Sequence, residues 1–448
     1  MMKMDMISRL KKAGLTDSVY IYIAIAACVV FLNIAFLNYI QALYELFLPI
    51  PCLLVLGVLQ GRKTELSSKR IFVLPALMTA WFLVVRLKHG VDSARIYTMG
   101  LFFATYLFAF PLATLLRDGE EKKTLKIFAL AYLAASAILA LDGMLLVMKR
   151  LPGFMVDDVY WSGDRLWPLW HPNMAACFMM IGSVLCVTFL SQCKTIWGKM
   201  SFFALLGMLL AAMALTNCRT ALVLTGVYLG ATFFFRALRY GRKWLLLAML
   251  AVVILAVVFF VGAGILHQFN HAQLPDLQTQ QPTSSPQGTF LSDLGTLNSR
   301  IYIWSAALNA IRQNPSILLW GVENPGEFAS GYTYLEYSHL HNAWLECLMG
   351  MGIVGLLVAV AFTLITLWNS ITVLIWHHRD IWKRNVALLA LCLLMSSILE
   401  PYLFYTTPAY HPFNLLFFLC AGYLAHWQEA DNRQLLGAVR SRLSLGKK

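Results

Sequence analysis

Charge is what this sequence has least of, and acidic charge least of all. Asp and Glu number 22 against 35 Lys and Arg, and the four types together are only 13% of 448 residues. A soluble domain of that length needs more charge to cover its surface. Hydrophobic residues instead reach 59%, and the mean hydropathy is +0.67. Those values exclude a water-soluble core and indicate an all-α polytopic membrane protein. Paired cysteines are absent as well. The nine cysteines include no C-x-x-C and no loop pair, so neither a disulfide framework nor a cysteine metal site is indicated.

Apolar runs near the ~20 residues that cross a bilayer recur along the chain. They fall at about 19–37, 42–59, 71–87, 96–115, 125–148, 173–191, 199–215, 220–236, 244–265, 344–368, 385–404 and 411–427, which gives about twelve transmembrane helices. Ile25-Ala26-Ala27-Cys28 resembles a lipoprotein cleavage site, but the apolar run continues to Leu37 and reads as an uncleaved first span. The net charge of +13 suggests nucleic acid only until it is mapped. With the N-terminus inside, 26 of the 35 Lys and Arg fall on one face, among them Arg62, Lys63, Arg117, Lys122, Arg236, Arg239, Arg379, Lys383 and the tail from Arg433 to Lys448. The positive-inside rule then places both termini in the cytoplasm and leaves no role for nucleic acid.

This topology exports the two longest loops, about 149–172 and 266–343, and keeps the inward loops too short for a catalytic domain. The chain therefore divides into 1–172 (five helices and a first outer loop), 173–265 (four helices), 266–343 (the large outer loop) and 344–448 (three helices and a basic tail). Chemistry belongs outside, where ATP is absent, so the energy must arrive in an already activated substrate carried in the membrane. The larger loop opens with a polar, poorly patterned segment, 268–297. It continues with an amphipathic helix starting at Asn298 or Ser299, with Ile301, Trp304, Leu308 and Ile311 on one face and Pro315 beyond its end. Such a stripe suits a helix lying on the bilayer or against the bundle.

Only nine basic residues face outward, so their positions are informative. Arg219 occupies a short turn at the outer N-terminus of the eighth span, Arg300 the first turn of the loop helix, and His341 the residues just before the tenth span. Helix N-termini carry partial positive charge and free N–H groups, which favour anions. Two arginines at such ends can clamp a phosphate with bidentate donors that do not lose their protons. The same positive ends favour the neutral imidazole that a general base requires. Taken singly, Arg219 could be a snorkelling interfacial arginine, Arg300 an ordinary helix charge, and His341 or its neighbour His339 a packing histidine. The coincidence of the three is what points to catalysis. The shorter outer loop adds Trp161, Arg165, Trp167, Trp170 and His171, whose aromatics suit either an interfacial belt or stacking on sugar rings. Arg165 is a further candidate for a phosphate or an acidic sugar.

Thr216-Asn217-Cys218-Arg219-Thr220, Asn298-Ser299-Arg300 with Trp304, and His339-Leu340-His341-Asn342 leading to Gly350-Met351-Gly352-Ile353-Val354-Gly355 together resemble the O-antigen ligase and polymerase superfamily. Arg165 through His171-Pro172-Asn173 resembles a further segment of that family, although Leu166-Trp167-Pro168 departs from the usual glycine. The resemblance covers about 160–425. It implies a multispanning, GT-C-like, inverting and metal-independent glycosyltransferase of the bacterial inner membrane, with a periplasmic active site and no cofactor. The implied donor is a glycan on undecaprenyl pyrophosphate, and the implied acceptor of a ligase is the outer core sugar of lipid A-core. By position, Arg219 and Arg300 would hold the pyrophosphate and His341 would activate the acceptor hydroxyl, with Arg165, His339 and Asn342 as further substrate-binding candidates. A polymerase would instead join two lipid-linked repeats; the run from His339 to Asn342 before a glycine-rich helix start favours the ligase.

Two rival classes fit less well. A transporter places ionisable groups near mid-membrane or breaks helices there, whereas Asp142, Glu346 and Glu400 fall toward the ends of their segments. A zinc hydrolase built on His339, His341 and Glu336 lacks a well-placed third ligand.

Overall fold

The computed structural model describes residues 73–90, 102–110, 112–115, 120–147, 160–162, 165–167, 172–216, 218–239, 298–333, 339–405 and 410–445, together with position 99 and a few positions within 25–34. The long helices are α1 (Val73–Lys88), α2 (Glu120–Val147), α3 (Pro172–Gln192), α4 (Ile196–Leu215), α5 (Arg219–Arg239), α6 (Asn298–Gln313), α7 (Ala343–Trp376), α8 (Ile381–Ser396) and α9 (His411–Leu445). A two-stranded antiparallel hairpin, β1 (Tyr160–Ser162) with β2 (Arg165–Trp167), precedes α3 and pairs Ser162 with Arg165. Among the described residues, five segments are long and apolar enough to cross a bilayer: Lys122–Met144, Pro172–Gln192, Ile196–Leu215, Arg219–Leu238 and Ala343–Trp376. This is a helical, polytopic membrane protein. Of the expected spans, 42–59 and 244–265 lie outside the described residues, as do most of 19–37 and the polar segment 268–297.

Helix α3 is the centre of the bundle. Its sequence is apolar on every side, and every residue from Pro172 to Thr188 is buried, as a helix with no polar face must be. It packs against α2, α4, α5 and α8. Small residues set its distance from α2: a Cβ on Gly182 would stand 2.5 Å from that of Ser136, whose hydroxyl donates to the Phe178 carbonyl at 2.7 Å. Close backbone approach at small residues is how helices associate where lipid removes the hydrophobic drive between them.

The membrane segments depart from the sequence expectation in three places. The run 96–115 shows a π-helical turn, Ala104–Ala109, and a short helix, Leu112–Leu115; Gly422 of α9 presses on Phe110 there, where a Cβ would collide with its carbonyl oxygen. The run 385–404 is not one helix. Helix α8 stops at Ser396, where Ser396 and Ser397 donate to the carbonyls of Leu393 and Leu394 at 2.8 and 2.6 Å. Pro401, with no N–H, follows shortly after. Residues 397–405 are a loop, and Asn414 holds its end, accepting from Phe404 N at 2.9 Å and donating to Tyr402 O at 2.8 Å.

The third departure is in α7, expected at 344–368. The helix runs from Ala343 to Trp376 but is interrupted at Gly352, whose φ of 66° and ψ of −171° are not helical. The interruption admits a neighbour. A Cβ on Gly352 would lie 2.5 Å from the Leu319 carbonyl oxygen, and one on Gly321, also at φ 66°, would lie 2.5 Å from the Gly350 backbone. Two bare backbones meet there, and Val322 N donates to Met349 O at 2.6 Å. Helix α6 is placed by the same junction, through the short helices Ile317–Trp320 and Pro325–Ser330. Its buried stripe is Ile303, Ala306, Ala307, Ala310 and Ile311, while Ile301 and Leu308 are exposed. The expected stripe is therefore rotated: three alanines let the helix sit close, and the larger Ile301 and Leu308 turn outward.

Candidate active site

The 397–405 loop carries Glu400, whose side chain is 1% exposed. Burying a carboxylate is costly unless it is paired and hydrogen-bonded, and Glu400 is both. Its Oε1 accepts from Arg300 Nη2 at 2.9 Å and from Asn173 Nδ2 at 2.9 Å. Its Oε2 lies 3.8 Å from His341 Nδ1. One carboxylate thus gathers the first turn of α6, the first turn of α3 and the residue that precedes the cap of α7.

His341 is held from both sides. Leu340, fully buried, donates its N–H to Glu346 Oε1 at 2.6 Å, and its carbonyl accepts from Trp304 Nε1 at 2.9 Å. Asn342 is the N-cap of α7: its Oδ1 accepts from Trp344 N and Leu345 N at 3.0 and 2.9 Å, and its Nδ2 donates to Ile398 O at 3.0 Å. Ala343 N donates to Ser397 O at 2.9 Å. Between these fixed neighbours His341 adopts φ 51°, in the left-handed region. A non-glycine residue there costs about 1–2 kcal/mol, a strain that persists only where the surroundings impose it and that clusters at functional sites. The His339 ring lies 4.2 Å from the His341 ring, centroid to centroid, and 6.1 Å from that of Tyr410.

The structure thus brings together Arg300, His341 and His339 of the residues singled out in the sequence. Arg219 stands at the N-terminus of α5, as expected, and is partly buried. Its neighbour Cys218 is buried, and both Cys218 and the Glu400–Arg300 pair lie within electrostatic reach of Cys177 of α3. That puts the start of α5 at the same end of the bundle as Glu400. Arg165 lies on β2, which packs beside α3 and α4. Asn342 spends its carboxamide on the cap and on Ile398, which makes it a residue that sets the His341 backbone. Among the described residues, no cluster of three His, Cys, Asp or Glu could hold a metal; Glu336 lies outside them.

Sequence reasoning missed Glu400 and Asn173. Glu400 fell inside an apolar run taken as membrane helix, and Asn173 appeared only as part of a motif. The available signal was a carboxylate directly before a proline in an otherwise charge-free span, since ionisable groups at such depth are rare and functional by default. Chemically, the cluster offers a partly exposed guanidinium, its side chain 19% accessible, with donors beyond the one that Glu400 engages. It also offers an imidazole, 18% accessible, whose Nδ1 faces a carboxylate. A guanidinium can bind an anion and an imidazole can exchange a proton, and here both approach the same carboxylate.

Residues 202–360 match the family described as O-antigen ligase. The matched stretch contains Arg219, Arg300, His339, His341 and Asn342, and it ends before Glu400. The resemblance carried by the motifs is therefore shown independently over that stretch. No curated protein matches the chain.

Proposed function

We propose that the protein is an O-antigen ligase, transferring a glycan from undecaprenyl pyrophosphate to the outer core sugar of lipid A-core on the periplasmic side of the bacterial inner membrane. The observation that carries this reading is the convergence of Arg300 and His341 on buried Glu400, within a chain whose central part is similar to that family. Arg219 and Arg300 hold the donor pyrophosphate and stabilise the charge that develops as it leaves. Glu400 holds the Nδ1 side of His341, which leaves Nε2 to take the proton of the acceptor hydroxyl. The acceptor oxygen bonds to the anomeric carbon from the opposite side, the carbon–oxygen bond to phosphate breaks, and its electron pair departs with undecaprenyl pyrophosphate. A pyrophosphate is already a good leaving group, so the reaction needs no general acid and no divalent metal.

His339 and Arg165 extend the same site toward the sugars, and Asn342 keeps His341 in place. The wider architecture belongs to this proposal: about twelve spans in a GT-C-like arrangement, with both termini cytoplasmic and divisions near 172, 265 and 343. The test is purified protein in detergent, given lipid-linked glycan and lipid A-core in the presence of EDTA, with products separated by size and mass. Glycan on lipid A-core supports the ligase. Lengthening of the glycan on its carrier alone makes the enzyme the polymerase and keeps the site. Absence of any covalent product, with glycan crossing a proteoliposome membrane, overturns both in favour of a transporter.

A further inference from the structure

Tyr410 belongs to none of the motifs read from the sequence, yet it stands in a row of rings that begins at His341. The His341 ring packs 4.2 Å from that of His339, and the His339 ring packs 6.1 Å from that of Tyr410, at 80° to it. Beyond Tyr410 the row turns into the core. Tyr402 lies 5.3 Å away, Phe413 stacks on Tyr402 at 4.5 Å, and Phe178 of α3 stacks on Phe413 at 4.2 Å. Tyr402, Phe413 and Phe178 are buried, whereas Tyr410, His339 and His341 are partly exposed. The row is therefore anchored in the bundle and surfaces at the Glu400 cluster, within whose electrostatic reach Tyr410 lies.

The backbone of Tyr410 is fixed by the same side chain that ends the Glu400 loop. Asn414, fully buried in the first turn of α9, donates to the Tyr410 carbonyl at 3.5 Å and to the Tyr402 carbonyl at 2.8 Å. Its Oδ1 accepts from Phe404 N at 2.9 Å. A ring placed in this way loses little freedom when a ligand arrives, which is how preorganised sites gain affinity. The order of contacts gives the ring its place in the chemistry. Arg300 meets one oxygen of Glu400, His341 faces the other, and His339 and Tyr410 follow on the His341 side. In the proposed transfer, the acceptor hydroxyl comes within about 2.6–3.2 Å of its base. The sugar that carries this hydroxyl therefore meets the rings that continue from that base. Aromatic walls with a few placed polar groups are what ligand sites present, and an aromatic face suits the apolar C–H face of a pyranose.

We propose that Tyr410 binds the acceptor sugar, its ring stacking on the pyranose whose hydroxyl His341 deprotonates. The proposal rests on the ligase reading of the site and names the residue that holds the acceptor while His341 removes the proton. Tyr410 lies beyond the stretch 202–360 that matches the family, so it adds a part of the site which that match does not reach. Its role is binding, through the ring, and the donor pyrophosphate at Arg300 is not its ligand.

The test uses the full-length protein in detergent, with lipid A-core varied at saturating lipid-linked glycan and then the reverse. Tyr410→Leu keeps an apolar side chain without a ring and should raise the KM for lipid A-core about 3- to 10-fold, the worth of one aromatic contact. The KM for lipid-linked glycan should stay unchanged. Tyr410→Phe keeps the ring and should hold the acceptor KM near the wild-type value. A second measurement needs no destabilising variant: a fluorotyrosine incorporated at position 410 should shift its fluorine resonance on addition of lipid A-core and not on addition of lipid-linked glycan. An unchanged acceptor KM in Tyr410→Leu, a rise in the donor KM instead, equal loss in Tyr410→Phe, or a fluorine signal indifferent to lipid A-core would overturn the proposal. Where wild type still transfers glycan to lipid A-core, those results strike Tyr410 alone and leave the ligase reading standing. A wild type that neither transfers nor shows the fluorine response brings down both.

Discussion

The Arg300–Glu400 pair gives the sharpest test of how the site is held. Removing one partner of a buried ion pair costs about 3–5 kcal/mol, because the survivor is left uncompensated. The two survivors here differ. Glu400, 1% exposed, loses its guanidinium counter-charge out of reach of water when Arg300 becomes alanine, whereas Arg300, 19% exposed, can still reach water when Glu400 becomes alanine. Arg300→Ala should therefore be the more destabilising single change, at the upper end of that range, and Glu400→Ala should fall at the lower end. The double variant strands neither charge and should be less destabilised than the sum, with a coupling of about 1.5–3 kcal/mol, the worth of a hydrogen bond to a charged group. Thermal unfolding of the four proteins in one detergent measures the cycle. Glu400→Gln keeps an oxygen to accept from Arg300 and Asn173, so it should unfold within about 1.5 kcal/mol of wild type yet lose activity, because the charge facing His341 Nδ1 is gone. Additivity of the two alanine changes within about 0.5 kcal/mol, or full activity in Glu400→Gln, would refute the reasoning.

Three further outcomes follow from the same geometry. His341→Ala should lower transfer by about 10²- to 10⁴-fold, the usual worth of a positioned base, while His341→Gly, which relieves the φ of 51°, should be equally inactive but melt no lower than the alanine variant. A His341→Gly protein markedly less stable than His341→Ala would show that the backbone there is unstrained. Asn342→Ala removes the cap of α7 and its bond to Ile398, so it should cost about 1 kcal/mol in stability and lower kcat more than it raises KM, an effect that Asn342→Asp should partly rescue. Gly352→Ala puts a Cβ 2.5 Å from the Leu319 carbonyl oxygen at a positive φ; expression and thermal stability should both drop, and a wild-type melting profile would mean that α7 runs unbroken.

How much was legible in the sequence varies element by element. The class was fixed by composition, because a bilayer selects for long apolar runs regardless of how they pack. The starts of α3, α5, α6 and α7 could be read within a residue or two, since polar residues at helix starts leave a local signature: Asn173, Arg219, Asn298 and Asn342 each stand at or next to a helix start. The candidate base and one candidate clamp, His341 and Arg300, were visible for the same reason. What decides their partnership was not. Glu400 sits about a hundred residues from Arg300 in the chain and within an apolar run that hydropathy reads as span; only the turn after Ser396, and the packing of that loop on Asn342 and Ala343, brings its carboxylate to the arginine. The rotation of α6 and the break in α7 belong to the same kind of fact. Hydropathy records how apolar a segment is but not which neighbour it meets: the buried face of α6 was decided by the cluster it forms with Ile317, Ala329, Leu340 and Met349, and the backbone at Gly352 by its close approach to Leu319, neither of which any local pattern encodes.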